Sequence, residues 1–467
     1  MIFPTLSFLL FFLFVFPVSW AIRNRHETRK YFLIAASYFF YAFWDWRFAF
    51  LLLASTVVNY AGGKWVFEAH DERTRKWGVA LGVAANLLFL SYFKYCEFFI
   101  QSLNDVLVSF GIQRELPIWE IILPVGISFF TFQGISYIVD CYRRDVPHAY
   151  KLTDVMLYNS FFPHLVAGPI VRAADFMPQL DRKPDPSRIL VGMALVLILW
   201  GLFKKSVIAN EIAIGLVDKV FFDPSRYGPV DLLLAAYGYA VQIYCDFSAY
   251  SDMAIGLAAL FGYHFQRNFN QPYRAATLQD FWRRWHISLS SWLREYLYRP
   301  LGGNRGGRFK TYRNLFLTMI LGGIWHGAAW NFIFWGFLHG VGLAIERALG
   351  FRLPGTRLGR ALAIFVVFHF VVLCWIFFRA DSFDKAWQFL AAFGNVGLPV
   401  QHAGGLVIGL IAFGLAIHFT PSDMLARSER TWGRWPALVQ GTAAGALVVA
   451  IEAFGTGAAA PFIYFRF

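Results

Sequence analysis

The sequence predicts an all-α protein that crosses a membrane many times, and three observations support this prediction. Hydrophobic residues make up 58% of the 467 residues and charged residues only 15%, which is little charge for a soluble domain of this length. Apolar stretches of about 20 residues recur from end to end, each long enough to cross a hydrocarbon core as a helix. A membrane β-barrel would instead show alternating segments of about 10 residues. We therefore expect about 10–12 transmembrane helices in one membrane domain, residues 1–467.

The predicted spans follow one another without an internal repeat or a soluble domain. The first has no basic residue before its apolar part and is followed by RNRHETRK, the reverse of a cleaved signal peptide, so we expect it to be retained with its amino end outside. The net charge of +13 is the excess expected on cytoplasmic loops and does not indicate a nucleic-acid partner. The four dispersed cysteines predict neither a disulfide framework nor a metal site. The spans cover residues 2–22, 31–44, 47–63, 78–93, 118–139, 152–170, 189–203, 229–262, 314–345, 361–378, 405–420 and 436–456.

Residues 278–314 break this pattern because they are basic and aromatic. Residues 283–313 carry eight Lys or Arg and one acid. Trp282, Trp285 and Trp292 recur at spacings of three and seven, which predicts one face of a helix. We expect that helix to lie at the cytoplasmic interface or to enter the membrane part-way. A membrane-surface anchor and a ligand site both remain open as interpretations.

The stretch GGIWHGAAW, residues 322–330, places a histidine inside an apolar run. Basic residues flank residues 314–345 on both sides, which predicts that the chain leaves and returns on the cytoplasmic side. Thirty-two residues are too few for two full spans, and the glycines of the stretch can break it. We therefore expect a re-entrant hairpin with His326 near its turn. One long tilted helix is the alternative, but it would place the downstream loops against the basic-loop rule.

His326 is the first candidate for chemistry, because an ionisable residue inside a membrane is a functional hypothesis by default. An imidazole in apolar surroundings stays neutral near pH 7 and can accept a proton, as a general base must. Trp325 and Trp330 can form the walls of a cavity beside it. A packed imidazole without function is the alternative. We expect His164 and His339 to be such packed histidines, and His339, thirteen residues on, to lie on a different helical face.

Two carboxylates lie in the apolar segment YCDFSAYSDMAIG, residues 244–256. Ser248 and Asp252 are four residues apart and share a helical face. Unpaired carboxylates in hydrocarbon are costly, so Asp246 and Asp252 must contact either a wet chamber or a partner. Lining of a chamber and an ion pair with an arginine such as Arg172 both remain open.

Five segments together resemble the membrane-bound O-acyltransferase superfamily, and the similarity is strongest to its bacterial alginate O-acetyltransferase branch. The resemblance implies a fold with a central funnel or tunnel, open to the cytoplasm for an acyl donor and to the outside for an acceptor. It also implies a multi-pass protein of the bacterial inner membrane. The segments are ILPVGISFFTFQGISYIVD (residues 122–140), FFPHLVAGPIVRA (161–173), YCDFSAYSDMAIG (244–256), FWRRWHISLSSWLREYLYRPLGGNRGG (281–307) and NLFLTMILGGIWHGAAWNFIFWGFLHG (314–340).

The resemblance implies acyl transfer from a thioester donor to a hydroxyl, without a tightly bound cofactor. The family's motif histidine corresponds to His326, and its second polar position to His286 or Asp280. The implied donor is acetyl-CoA, whose phosphates need cations, and guanidinium groups suit phosphate. Contact with lipid headgroups is the alternative for each of the candidate cations, which are Arg283, Arg284, Arg294 and Arg305.

The carboxyl end, residues 461–467, carries the pattern F-x-Y-x-x-F, with Tyr464 as its tyrosine. Our topology leaves this tail outside. The resemblance implies that Tyr464 carries the acyl group toward an extracytoplasmic serine esterase-like partner of the SGNH type, and a phenol with a pKa near 10 would need His326 for activation. Interfacial anchoring by an aromatic tail is the alternative.

The sequence leaves the acceptor open among alginate, cellulose, peptidoglycan and other exopolysaccharides. A non-catalytic transporter, or a scaffold of a polysaccharide export complex, is the alternative from a different class.

Overall fold

The computed structural model describes residues 1, 3–112, 116–118, 121–189, 191–351, 355–402, 404–421 and 423–454. Every regular element in these ranges is a helix, which confirms the all-α prediction. Contacts between residues divide the chain into two compact units. The first unit contains Met1–Ile189 and Ala258–Phe265, and the second contains Leu190–Leu257 and Gln266–Phe467.

Side-chain caps define where several helices of the first unit begin. The carboxylate of Asp45 accepts a hydrogen bond from the backbone of Arg47 at the start of α3, and Asp71 accepts one from Thr74 at the start of α4. A π-helical turn, Ser91–Tyr95, joins α4 to α5 in one continuous helix. The helices of this unit are α1 Leu6–Ala21, α2 His26–Ala42, α3 Trp46–Glu68, α4 Glu72–Leu90, α5 Cys96–Ser109, α6 Ile127–Arg143, α7 Leu152–Ser160, α8 Phe162–Leu165 and α9 Ala173–Leu180.

The second unit is also helical, and two π-helical segments, Lys204–Ala209 and Ala213–Val217, make Val191–Phe222 one continuous helix. The unit contains α13 up to Leu257. Its helices are α10 Val191–Phe203, α11 Asn210–Ile212, α12 Asp218–Phe222, α13 Pro229–Leu260, α14 Leu278–Arg284, α15 Ile287–Trp292, α16 Arg308–His326, α17 Trp330–Ala348, α18 Arg357–Arg379, α19 Phe383–Ala391, α20 Gly405–Ala416, α21 Met424–Gly433 and α22 Ala437–Phe454.

In the part of the chain that the structure describes, three helices are long and apolar enough to cross a membrane, namely Glu72–Ser109, Val191–Phe222 and Arg357–Arg379. Shorter apolar helices are Leu6–Ala21, Gly405–Phe419 and Ala437–Ile451.

Several predicted spans have different bounds in the structure. The spans predicted to end at 93 and 203 continue to Ser109 and Phe222, because the lysines that follow them are accommodated within the helix. The predicted span 152–170 is not one helix: α7 ends at Ser160, and Pro163, which has no backbone N–H, lies in the separate short helix α8. The predicted span 118–139 begins as a helix only at Ile127.

Candidate active site

Residues 314–345 lie within a hairpin of two packed helices. Helix α16 ends at His326, and α17 begins at Trp330 after a three-residue connection. The helices are antiparallel, because a Cβ atom on Gly323 would lie 2.3 Å from the carbonyl oxygen of Phe332, and one on Gly336 would lie 2.4 Å from that of Met319. The hairpin therefore depends on close backbone approach.

The glycines of the hairpin act differently from the prediction. Gly322 and Gly323 do not break the helix but lie inside α16. Gly327 alone lies at the break, with an extended backbone, and a Cβ atom there would lie 2.2 Å from the ring of Phe332. The first two glycines thus permit packing, and the third permits the turn.

His326 is buried, with 3% of its surface exposed, among aromatic rings. The centroid of its ring lies 5.0 Å from that of Trp325, 5.1 Å from that of Trp335 and 5.1 Å from that of Phe378. Trp330, predicted to form a wall of the site, is 60% exposed. Trp335 and Phe378 take the place that the sequence prediction assigned to Trp330.

His286 lies beside the same tryptophan. It is fully buried, and its ring centroid lies 6.1 Å from that of Trp325, so one indole contacts both His286 and His326. The backbone of His286 is left-handed, with φ of 41°, and it ends the helical path between α14 and α15. The predicted continuous helix through Trp285 and Trp292 is therefore wrong, since the chain turns at His286.

Asn268 holds this turn in place. Its Oδ1 atom accepts hydrogen bonds from the backbone N–H of Ser288 at 3.1 Å and from the Ser288 hydroxyl at 2.9 Å, and lies 3.2 Å from Nδ1 of His286. Its Nδ2 atom donates to the hydroxyl of Ser251 at 2.9 Å. An acceptor at Nδ1 favours the tautomer that carries the proton there, which leaves the lone pair on Nε2. Nε2 of His286 is buried and has no hydrogen-bond partner among the described residues.

Asp280, the other candidate for the second polar position, has a more open environment. Its carboxylate accepts a hydrogen bond from Arg284 at 2.9 Å, four residues along α14, and its side chain is 34% exposed. A partly exposed pair of this kind is common on helix surfaces. Of the two candidates, His286 is the one with a described contact to Trp325, the indole that also contacts His326.

Arg283, Arg294 and Arg305 are exposed. Arg294 forms an ion pair with Glu295 at 3.1 Å. Among the described contacts, these arginines do not join the cluster around His326.

Among the described ion pairs, the two carboxylates of α13 pair with lysines, and Arg172 pairs with Asp175. Asp246 lies 2.8 Å from Nζ of Lys205, and both side chains are 3% exposed. Asp252 lies 2.7 Å from Nζ of Lys204.

Lys204 also donates to the hydroxyl of Ser248 at 2.7 Å, so Ser248 and Asp252 do share a face. The sequence does contain a sign of these partners, because the consecutive Lys204 and Lys205 lie in an otherwise apolar helix. Our sequence prediction did not include them.

A cavity of about 340 Å³ lies against the Lys204–Asp252 ion pair. Lys204, Ser248 and Asp252 line it together with aromatic side chains and with Arg267. Phe269 also lines the cavity, and its ring stacks on that of His286 at 6.2 Å. His326 is not among the described lining residues. The remaining lining residues are Val196, Leu197, Trp200, Tyr244, Asn270, Gln271, Phe413, Ile417, Thr420, Pro421, Met424, Leu425 and Ser428.

The sequence also singled out His164, His339 and the carboxyl-terminal tail. His164 is buried, and its Nε2 lies 2.8 Å from the carbonyl oxygen of Tyr158, as expected of a packed histidine. His339 is buried as well, but it lies 4.8 Å from Trp335, whose ring also flanks His326. Tyr464 and the rest of residues 461–467 lie outside the described residues.

Comparisons with known proteins point to one family. A family model described as MBOAT, membrane-bound O-acyltransferase family, matches residues 142–383 of this chain. The chain is 44% identical to the "Probable alginate O-acetylase AlgI" of Pseudomonas aeruginosa, over 85% of this chain and 75% of that protein.

Two further relatives carry other names. A peptidoglycan O-acetyltransferase of Helicobacter pylori is 38% identical, over 79% of this chain and 74% of that protein. A teichoic acid D-alanyltransferase of Bacillus subtilis is 27% identical, over 58% and 72%. All three names describe the transfer of a small acyl group.

Proposed function

This chain belongs to the membrane-bound O-acyltransferase family and is an acyltransferase, and from that premise we propose that it transfers an acetyl group from a thioester donor to a hydroxyl for the O-acetylation of a polysaccharide. It is a membrane protein. The names of the alginate and peptidoglycan relatives support acetyl as the acyl group and a glycan as the final acceptor. Alginate is the acceptor we favour, because the 44% relative is named for it; peptidoglycan or cellulose would require the same chemistry.

His326 is the general base in this proposal. Its imidazole removes the proton from the attacking hydroxyl as the oxygen bonds to the thioester carbon. The C–S bond then breaks, and the imidazolium returns the proton to the leaving thiolate. A well-placed general base contributes roughly 10²–10⁴ in rate. The observation that supports this role most directly is the position of His326 at the end of α16, enclosed by three aromatic rings with His286 beyond one of them.

His286 positions the donor in this proposal. Its Nε2 atom has a lone pair when Nδ1 donates to Asn268, so it can accept a hydrogen bond from an amide N–H of a pantetheine arm. Trp325, which contacts both histidines, would then separate the group that orients the donor from the group that takes the proton. In this proposal Asp280 does not contact the reacting atoms, and its carboxylate instead holds the guanidinium of Arg284.

The cavity of about 340 Å³ receives the donor in this proposal. Its size falls within the range of small-molecule sites, and its lining combines aromatic walls with a few polar groups. The proposed route from the cavity to the reacting centre runs past Phe269, because this ring lines the cavity and stacks on His286. Arg267 is exposed and lines the cavity, where its guanidinium can bind a phosphate of acetyl-CoA. Arg283, Arg284, Arg294 and Arg305 are the further cations proposed for this role.

The two substrates approach from opposite sides of the bacterial inner membrane in this proposal. The basic-loop rule, which assigns residues 346–360 and 428–435 to the cytoplasm, supports donor entry from that side. Tyr464, on a tail assigned to the outside, then accepts the acetyl group and passes it to an extracytoplasmic serine esterase-like partner. These assignments rest on charge asymmetry and on the terminal motif.

The test replaces His326 by Gln and by Ala in cells that secrete the polymer. Expression and membrane insertion of each variant are confirmed first, and O-acetyl groups on the secreted polymer are then measured. Loss of O-acetylation with normal polymer export supports the enzyme. Normal O-acetylation would reject the general base, and loss of export would instead indicate a transporter or a scaffold.

A further inference from the structure

His339 is a buried histidine that the acyl-transfer proposal does not use. Its side chain is fully buried on α17, and neither Nδ1 nor Nε2 makes a hydrogen bond to a described residue. The Nε1 atoms of Trp282 and Trp335 are also buried without a hydrogen-bond partner in the described part of the chain. We call these three side chains the indole cage.

The three rings of the indole cage contact one another. The ring centroid of His339 lies 4.8 Å from that of Trp335 and 5.0 Å from that of Trp282, and the two indoles are 5.8 Å apart. Phe281 and Phe370 pack on the outside of the imidazole, at 6.2 Å and 5.9 Å. Those two rings offer hydrocarbon only, so they give the imidazole of His339 no hydrogen-bond partner.

The cage has more hydrogen-bond donors than acceptors. Each indole supplies one donor and no acceptor, and a neutral imidazole supplies one donor and one acceptor. Three donors therefore share one acceptor. Buried polar groups in native proteins almost always have partners, because an unpaired one loses its hydration without compensation. The cage consequently needs an added oxygen.

We propose that the indole cage binds one internal water molecule. The water oxygen accepts from two of the N–H groups, and one of its hydrogens is donated to the lone pair of His339. Buried waters make about three such bonds, and the cage offers that number within one ring cluster.

The water has a consequence for His326, and this step rests on the proposed function. Trp335 flanks His326 as well as His339, at 5.1 Å and 4.8 Å, and it is 1% exposed. A hydrogen bond from its Nε1 to the water fixes the plane of the indole against which His326 packs. His339 is thus a positioning residue that acts on the base through the water and Trp335.

The water is tested by thermal unfolding of the purified full-length protein. His339→Phe keeps a flat ring but removes the acceptor, so a hydrated cage loses bonds and the Tm falls by about 1–3 °C. His339→Gln keeps one donor and one acceptor and recovers part of that loss. A Tm that stays equal or rises in His339→Phe overturns the water site, because a dry cage gains when its unpaired imidazole is replaced by hydrocarbon.

The positioning role is tested by kinetics in membranes from cells that secrete the polymer, where the extracytoplasmic partner and the acceptor are present, with acetyl-CoA as donor and thiol release as readout. His339→Phe and Trp335→Phe each lower kcat by about 10- to 100-fold at an unchanged KM for acetyl-CoA, because a small misplacement of the base is costly. The double variant is no worse than either single variant, because both remove the same contact. An unchanged kcat in His339→Phe overturns the positioning role. If instead His326→Gln remains active, the general-base role of His326 is rejected. The Tm of His339→Phe still tests the water site in that case, because unfolding does not depend on catalysis.

Discussion

Asn268 joins His286 to the chain on the other side of its turn: the Oδ1 atom of Asn268 lies 3.2 Å from Nδ1 of His286. The same oxygen accepts two hydrogen bonds from Ser288, so one amide sets both the left-handed backbone of His286 and the tautomer of its ring. This contact is the most direct link between the local fold and the proposed chemistry.

Asn268→Ala tests that link. The variant removes the acceptor at Nδ1, so the His286 ring is free to change tautomer and orientation. We expect kcat to fall by about 10- to 100-fold, in the range found when the partner that orients a functional histidine is removed. Steady-state kinetics with acetyl-CoA provide the measurement.

The matched control is Asn86→Ala in the first unit, where the amide donates to Asn59 at 2.6 Å and to the carbonyl oxygen of Gly82 at 2.9 Å. That variant should lose stability to a similar degree with kcat unchanged. Equal kcat in the Asn268 variant and the control would contradict the role of Asn268.

Gly323→Ala tests the close packing of the hairpin. A Cβ atom at Gly323 would lie 2.3 Å from the carbonyl oxygen of Phe332, which is backbone of the facing helix and cannot move alone. We expect a loss of about 1–3 kcal/mol in the free energy of unfolding, as for other overpacked sites, together with reduced activity. Denaturation in detergent and acetyl transfer are measured in parallel.

The neighbouring Gly322→Ala is the control for that variant. Its Cβ atom would lie 3.2 Å from a methyl group of Leu293, which can move. Because alanine is also the better helix former by up to about 1 kcal/mol, Gly322→Ala should be neutral or stabilising. If the two variants lose stability equally, the close approach at Gly323 is not what holds the hairpin.

The buried pair Lys205–Asp246 should behave as an electrostatic unit. Lys205→Met leaves the carboxylate of Asp246 buried without its charge partner at 2.8 Å, which costs about 3–5 kcal/mol for pairs of this kind. The double variant Lys205→Met with Asp246→Leu should recover most of that loss, because both charges of this pair are then removed. Thermal unfolding of the unmodified protein, Lys205→Met, Asp246→Leu and the double variant measures the coupling energy between the two side chains. If the losses of stability in the two single variants simply add in the double variant, the pair is not coupled.

Ser428→Trp tests the cavity as the donor site. Ser428 lines the cavity from α21, and an indole there would occupy part of its 340 Å³. We expect the KM for acetyl-CoA to rise about tenfold while kcat at saturating donor changes little, since uniform binding is lost and the reacting groups are untouched. Thr431→Trp, exposed on the same helix, should leave both constants unchanged. An unchanged KM in the Ser428 variant would exclude this cavity as the donor's route.

The histidine of the hairpin was predictable because its signal is local. An imidazole between glycines and tryptophans in an apolar run is visible in nine consecutive residues, and the close glycines that permit the hairpin are among them. The side chains that contact His326 were harder to predict from the sequence. Trp335 replaced Trp330 beside the imidazole because the connection between the helices places Trp330 at an exposed position, and nothing in the spacing of the two tryptophans distinguishes them.

The partners of buried polar groups were not predictable, because they depend on contacts distant in sequence. Asp252 pairs with Lys204 across 48 residues, and His286 contacts Asn268 across 18. The sequence shows that each charge needs a partner, but several candidates, Arg172 among them, satisfied that need equally well.

The sequence by itself determined that this is an all-α membrane protein of the O-acyltransferase family with a histidine at a break in an apolar run. Composition, hydrophobic length and local motifs are sufficient for that conclusion, because each depends only on neighbouring residues. Only the tertiary structure decided which aromatic rings surround that histidine, with Trp335 instead of Trp330, that His286 lies beside Trp325, and that lysines are the partners of the two aspartates. The physical reason is that side-chain pairing and close helix packing are set by the fold, which brings together residues whose separation along the chain carries no record of their contact.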